Sequence, residues 1–302
     1  MYAASLTSAL EFICNICGSP NRRAVQELTR EDPSCSACGS NVRTRGILRV
    51  LSNELFGVDL TLPEFPRVKS LRGIGTSDKE AYAVRLAEKF DYRNTFFHRE
   101  PRLDLANLPE EESGRYDFLI SSEVLEHVPP PVETALQNAS RLLKPSGVFV
   151  LTVPYSIEPA GVERFPQLHQ YGLVEVGGRI LLVNRTPEDA LQIFEDLVFH
   201  GGRGSTLEMR EFNEDGLKAL LTSAGFCDVR MCAEDYRPFG IVHAESWSLP
   251  IAARKGPFAL GRGAVRDILE EWRDLRRKST SEMEQIESSV WHRIGRKLGF
   301  VR

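Results

Sequence analysis

The 302-residue chain has no apolar run close to the roughly 20 residues that a bilayer span requires. Its opening stretch, MYAASLTSALEFIC, lacks a basic segment followed by a long apolar one, so no secretory leader is expected. Charge of either sign is not in excess: 38 Lys and Arg stand against 42 Asp and Glu, a formal net charge of -4. That balance excludes a global attraction to nucleic acid and leaves only local basic patches. Internal repeats and low-complexity tracts are missing, which excludes solenoid and linker-like architectures. Only six cysteines occur, at positions 14, 17, 35, 38, 227 and 232, too few and too unevenly placed for a secreted disulfide framework. A soluble protein of the reducing cytoplasm is the expectation. What is present, 42% hydrophobic and 26% charged residues, suits a globular chain with a substantial core.

Three zones follow from the pattern. Residues 1–45 hold two cysteine pairs among Gly18, Pro20, Pro33 and Gly39, which supply turns. Residues 46–250 alternate apolar runs with helical segments, the mark of an α/β sheet flanked by helices. Residues 251–302 form a charge-rich tail. Within the middle zone, helices are expected over 47–56, 81–90, 132–143 and 212–225. Strands are expected over 68–74, 95–98, 116–120 and 148–153, with parallel pairing and right-handed crossovers. Residues 155–210 interrupt this rhythm as an insertion. There, Gly172–Val176 and Arg179–Val183 flank Gly177-Gly178, a β-hairpin signature.

The cysteines form Cys14-x2-Cys17 and Cys35-x2-Cys38, 17 residues apart, which is zinc-ribbon spacing. Each pair makes a knuckle that aims two thiolates at one ion, and Gly18 and Gly39 relieve the backbone behind it. Four sulfur ligands leave no open position, so a structural zinc is expected.

Two further segments concern a cofactor. Arg72-Gly73-Ile74-Gly75-Thr76-Ser77-Asp78 follows a strand and precedes a helix, as where backbone must approach a ligand closely. The stretch YDFLISSEVLEHV (116–128), followed by LLKPSGV (142–148), strongly resembles the class I, Rossmann-like methyltransferases. The resemblance covers roughly 68–155 and 207–232. It implies S-adenosylmethionine as cofactor, with Gly73, Gly75 and Ser77 at its glycine loop and Ser122 and Glu123 beneath the methyl donor. Asp104 resembles the acidic loop near adenine, and Glu100 is the candidate for gripping the ribose hydroxyls. The loop departs from the family pattern, since Gly73 stands where an acid is usual. Only 25 residues separate Gly75 from Glu100, so a helix and a strand are expected to be compressed or missing.

S-adenosylmethionine already carries an activated methyl group, so the protein must chiefly position it and remove a proton from a hydroxyl acceptor. His127, His169 and His200 are the candidate bases, and Tyr155 is a candidate substrate contact just past a strand end. In the tail, Ile268, Trp272, Leu275, Ile286, Val290, Ile294 and Leu298 recur at helical spacing. Its basic end, with Trp291, His292, Arg293, Arg296, Lys297, Phe300 and Arg302, suits either a homodimer helix or peripheral contact with the inner membrane face. That end also resembles tails of bacterial surface-polysaccharide enzymes, which favours a sugar, glycan or other small hydroxylated acceptor. RNA methylation, supported by Arg22, Arg23, Arg30, Arg43 and Arg45 of the ribbon, and a non-catalytic scaffold are the alternatives.

Overall fold

The structure, a computed structural model, describes residues 9–202, 204–278 and 290–299. Its centre is a six-stranded sheet built on β3 (Val68–Thr76), β4 (Phe90–Thr95), β5 (Tyr116–Ser122) and β6 (Leu143–Thr152), all parallel. Two antiparallel strands, β15 (Asp228–Met231) and β16 (Ile251–Arg254), complete it in the order β15-β16-β6-β5-β3-β4. The parallel strands read as apolar runs because both faces are covered. Phe118, Ile120, Val148 and Val150 point into one core, shared with α1 (Val42–Phe56) and α2 (Glu80–Lys89). Leu119, Phe149 and Leu151 point into the other, shared with α3 (Val132–Leu142) and α4 (Glu214–Ser223).

Two expectations need correction at β4. The helix was expected to run through Phe90 and the next strand to cover 95–98; instead α2 ends at Lys89 and the strand occupies Phe90–Thr95. The register explains this: Thr76 pairs with Thr95, so pairing stops where β3 stops. Beyond it, Phe96 bridges only to Arg102, and residues 96–109 contain no named helix or strand. The expected compression is therefore real, and the sheet has six strands.

The N-terminal segment is a small ribbon of β1 (Ala9–Ile13) and β2 (Pro20–Ala24). It does not end at residue 45 as a separate body, because α1 begins at Val42 and Cys14, Ile16 and Cys35 share its apolar core. Arg45 makes the join. Its guanidinium is fully buried over the Phe12 ring and donates to Ser40 O, Ser34 Oγ and Gly240 O.

The insertion carries β7 (Tyr155–Ser156), β8 (Val162–Glu163), β9 (Gln170–Val176), β10 (Arg179–Arg185), β11 (Leu191–Phe194), β12 (Phe199–His200), β13 (Thr206–Leu207) and β14 (Arg210–Asn213). Strands β9 and β10 form the expected hairpin, with Val176 opposite Arg179 and both intervening glycines at positive φ. The tail begins later than residue 251, since β16 belongs to the sheet. Its helices are α5 (Arg262–Lys278) and α6 (Val290–Lys297). Ala264, Ile268 and Ile294 are buried in the α1-side core, so this part of the apolar stripe packs on the protein itself. Ile286, Phe300 and Arg302 lie outside the described residues. No described helix is long and apolar enough to cross a membrane.

Candidate active site

The chain runs from β3 outward to β4, then returns to the other side of β3 as β5. The crevice at the carboxyl ends of β3 and β5 is thus a topological switch point, where open α/β sheets bind ligands. Four non-glycine residues have positive φ among the described residues, and Ser77 (59°) and Glu123 (56°) sit one at each of these strand ends. A left-handed backbone at such residues costs on the order of 1–3 kcal/mol and is retained where surrounding structure enforces it. The Ser77 loop is enforced by β4: Ser77 N–H donates to Thr95 O at 2.7 Å, and Asp78 N–H donates to Asn94 Oδ1 at 3.0 Å.

The two glycines serve close packing. Gly73 lies inside β3, where an added Cβ would fall 2.1 Å from Cζ of Phe118. At Gly75 an added Cβ would meet Asp78 Oδ2 and the Tyr92 hydroxyl. Asp78 was not anticipated as a site residue. Its carboxyl is buried, accepts from Tyr82 Oη at 2.7 Å and from Tyr92 Oη, and burial pushes it up to about 7 against those two donors. Glu100 occupies a different position from the one expected of a ribose ligand. The strand ends five residues before it, and its exposed carboxylate accepts from Arg102 N–H in the same turn. Asp104 closes its own turn, accepting from Ala106 N–H at 2.9 Å.

On the other side of the crevice, Ser122 Oγ lies 2.9 Å from Thr152 Oγ1 and accepts from Arg43. Arg30 grips both carboxylate oxygens of Glu123 at 2.8 and 3.1 Å, and donates through Nε to Ser248 O. Arg43 is held in turn by Glu31 at 2.7 and 2.8 Å. The ribbon and the start of α1 therefore cover the strand ends with cations that sequence reading assigned only to RNA. Arg30, Arg43 and Arg45 face inward, which removes three of the five arginines that supported a nucleic-acid surface.

The next turn, Leu125–His127, carries Glu126, whose side chain is fully buried. Burial, then the nearby Glu123 charge, pushes its carboxyl up to about 8. The insertion crosses this turn: Met209 N–H donates to Glu126 O, and Arg210 Nη1 donates to Leu125 O. It brings His200 to His127, ring centroids 4.9 Å apart and nearly perpendicular. Burial lowers the pKa of His127, which favours the neutral imidazole. His169 is not brought there; it is exposed, with its backbone N–H on Asn184. Tyr155 is buried, its hydroxyl has no hydrogen-bond partner among the described residues, and burial pushes it up to about 12. The Glu126-His127 dipeptide inside an apolar run was the one sequence signal for the cluster.

A methyltransferase-domain family model matches residues 54–230, from the end of α1 to β15. The chain belongs to this methyltransferase-domain family. Ubiquinone biosynthesis O-methyltransferase from Xanthomonas oryzae pv. oryzae is 29% identical over 115 residues, 38% of this chain and 39% of that protein. The chain thus spans about two fifths of the length of the curated relatives it matches. Among solved structures, the 1,6-didemethyltoxoflavin-N1-methyltransferase of Burkholderia thailandensis, with bound S-adenosylhomocysteine, is 19% identical. It covers 71% of this chain and 80% of its own, with a TM-score of 0.37. A Mesorhizobium loti S-adenosylmethionine-dependent methyltransferase is 18% identical, covers 63% and 93%, and has a TM-score of 0.37.

The methyltransferase sheet and its loop fit the family's cofactor in general terms. A buried Ser121 hydroxyl without a partner among the described residues and an α2 start without a side-chain cap offer hydrogen-bonding groups at the crevice, while the space a side chain would take at Gly73 and Gly75 is filled by Phe118, Asp78 and Tyr92. The cysteines fit zinc closely. Around an ion at about 2.3 Å per Zn–S bond, tetrahedral sulfurs lie about 3.8 Å apart. Here Cys14 and Cys38 are 3.6 Å apart, as are Cys17 and Cys35, and all four sulfurs fall within 4.8 Å of one another. The hydrogen bond shared by Cys14 and Cys38 pushes the Cys38 thiol down to about 4 and the Cys14 thiol up.

Proposed function

We propose that the protein transfers the methyl group of S-adenosylmethionine to a hydroxyl of a sugar, a glycan or another small metabolite. The observation that carries this reading is the pairing of strained Ser77 and Glu123 across the switch point of a methyltransferase-family sheet. The Gly73–Asp78 loop and Ser122 hold the donor, and Arg43, which reaches Ser122 from α1, offers a cation for the donor's carboxylate. The acceptor's proton leaves at the Glu126–His127–His200 cluster, while His169 plays no part in that step. Asp78 replaces Glu100 as the carboxyl nearest the glycine loop. Cys14, Cys17, Cys35 and Cys38 hold a structural zinc ion, with no open position for substrate.

Calorimetry with S-adenosylhomocysteine tests the reading. Binding in the micromolar range, weakened tenfold or more by Arg43→Met, is expected for one lost charge-assisted contact of about 1.5–3 kcal/mol. Absence of heat and of any thermal shift in the wild type would overturn it.

A further inference from the structure

Glu126 is an expensive residue where it stands. Its side chain has no exposure, and neither carboxyl oxygen has a hydrogen-bond partner among the described residues. Buried carboxyls are ordinarily paired or bound to a cation, because an unsatisfied one carries its full desolvation cost. The nearest base, His127 Nε2, lies 3.6 Å from Glu126 Oε1, too far for a hydrogen bond and well placed for something between them.

Both imidazoles are oriented from behind. His127 Nδ1 lies 2.9 Å from the Leu207 carbonyl, so that nitrogen carries the proton and Nε2 keeps its lone pair. His200 Nε2 lies 2.9 Å from Glu208 Oε2, which assigns the proton there and leaves the Nδ1 lone pair free. Glu208 is fixed in turn by Arg164, whose Nε and Nη2 lie 2.9 and 2.6 Å from Oε1. Imidazoles that bind metal ions are held in this way, by a carbonyl or a carboxylate on the far nitrogen. One ligand atom each from Glu126, His127 and His200 lies within 4.8 Å of the others. Ligands around a divalent ion at 2.0–2.2 Å sit about 3–4 Å apart, so small side-chain rotations close the set.

We propose that Glu126, His127 and His200 form a binding site for a divalent cation of the manganese, iron, cobalt or zinc class. One carboxylate and two imidazoles suit these ions better than magnesium or calcium, which prefer all-oxygen sets. Three protein ligands leave at least one position open. An acceptor hydroxyl bound there would become more acidic. That use rests on the methyl-transfer reading; the site does not.

The test uses cobalt(II) added to the 302-residue protein as purified, followed by calorimetry and visible absorption. The expected result is one cobalt per chain without the intense thiolate-to-cobalt band that the cysteine cluster would give. Glu126→Gln and His200→Asn should each weaken it tenfold or more, and Glu208→Gln should weaken it about 10–100-fold by releasing His200. Far-ultraviolet circular dichroism of each variant confirms folding. Cobalt bound only to thiolate, or with unchanged affinity in Glu126→Gln and His200→Asn, would overturn the proposal. S-adenosylhomocysteine affinity measured on the same samples separates the two claims: cobalt binding without it would sink methyl transfer and leave the site standing.

Discussion

Replacing Asp78 with asparagine should flatten the protein's stability against pH. In the folded chain the Asp78 carboxyl is held near 7 by burial, while the unfolded chain has it at the ordinary 3.8. As pH rises from about 4, the unfolded state therefore loses this proton first. The folded state binds more protons across the window, so stability is complete below about 4 and falls until the pH passes about 7. The gap between 3.8 and about 7, at 1.36 kcal/mol per pH unit, amounts to about 4 kcal/mol. Asparagine retains an oxygen for the Tyr82 hydroxyl and cannot ionise. Urea unfolding midpoints at about pH 5 and about pH 8, for both proteins, read the effect. The wild type should lose roughly 2–3 kcal/mol more than the variant between these two conditions. Glu126 is shifted in the same direction but is common to both proteins, so the difference isolates Asp78. Parallel pH curves would refute the reasoning.

Gly73→Ala should destabilise by about 1–3 kcal/mol, because its methyl group would clash with the far edge of the buried Phe118 ring. An unchanged thermal midpoint would mean the strand shifts freely there. Cys14→Ser should lower bound zinc to a small fraction of one equivalent per chain, read by elemental analysis, and should loosen the ribbon. Retention of a full equivalent would show that the cysteines are not its ligands. Arg30→Ala should cost about 1 kcal/mol at most, since Arg30 and Glu123 are both partly solvated, and chemical denaturation would read it.

Local chemistry made much of this fold legible. Gly177-Gly178 between two alternating apolar runs specified a hairpin, register included, because a two-residue turn fixes its own pairing. The cysteine knuckles were equally local. The strand after α2 was misplaced because Phe96 and Phe97 look as strand-like as Phe90 and Tyr92, and only pairing with β3 decides between them. The site suffered most from distance in sequence. His127 meets His200 across 73 residues, and Arg30 meets Glu123 across 93, contacts that no spacing rule anticipates. Glu100 was chosen for its distance from the glycines, whereas Asp78 escaped notice by following Gly75 too closely.

Arg45 has a consequence for how the chain assembles. Its guanidinium ties residues 34 and 40 to the carbonyl of Gly240, 195 positions later, and Arg30 repeats the stitch at Ser248 O. A segment made earlier therefore finds its last partners in one made much later. Such contacts form slowly, because a long loop must close before they are rewarded. Whatever the ribbon forms around its knuckles, its seat on the sheet is finished only when residues 240–254 arrive. Removing the first 45 residues would not trim an appendage; it would leave the apolar face of α1 and the edge of the active crevice open to water.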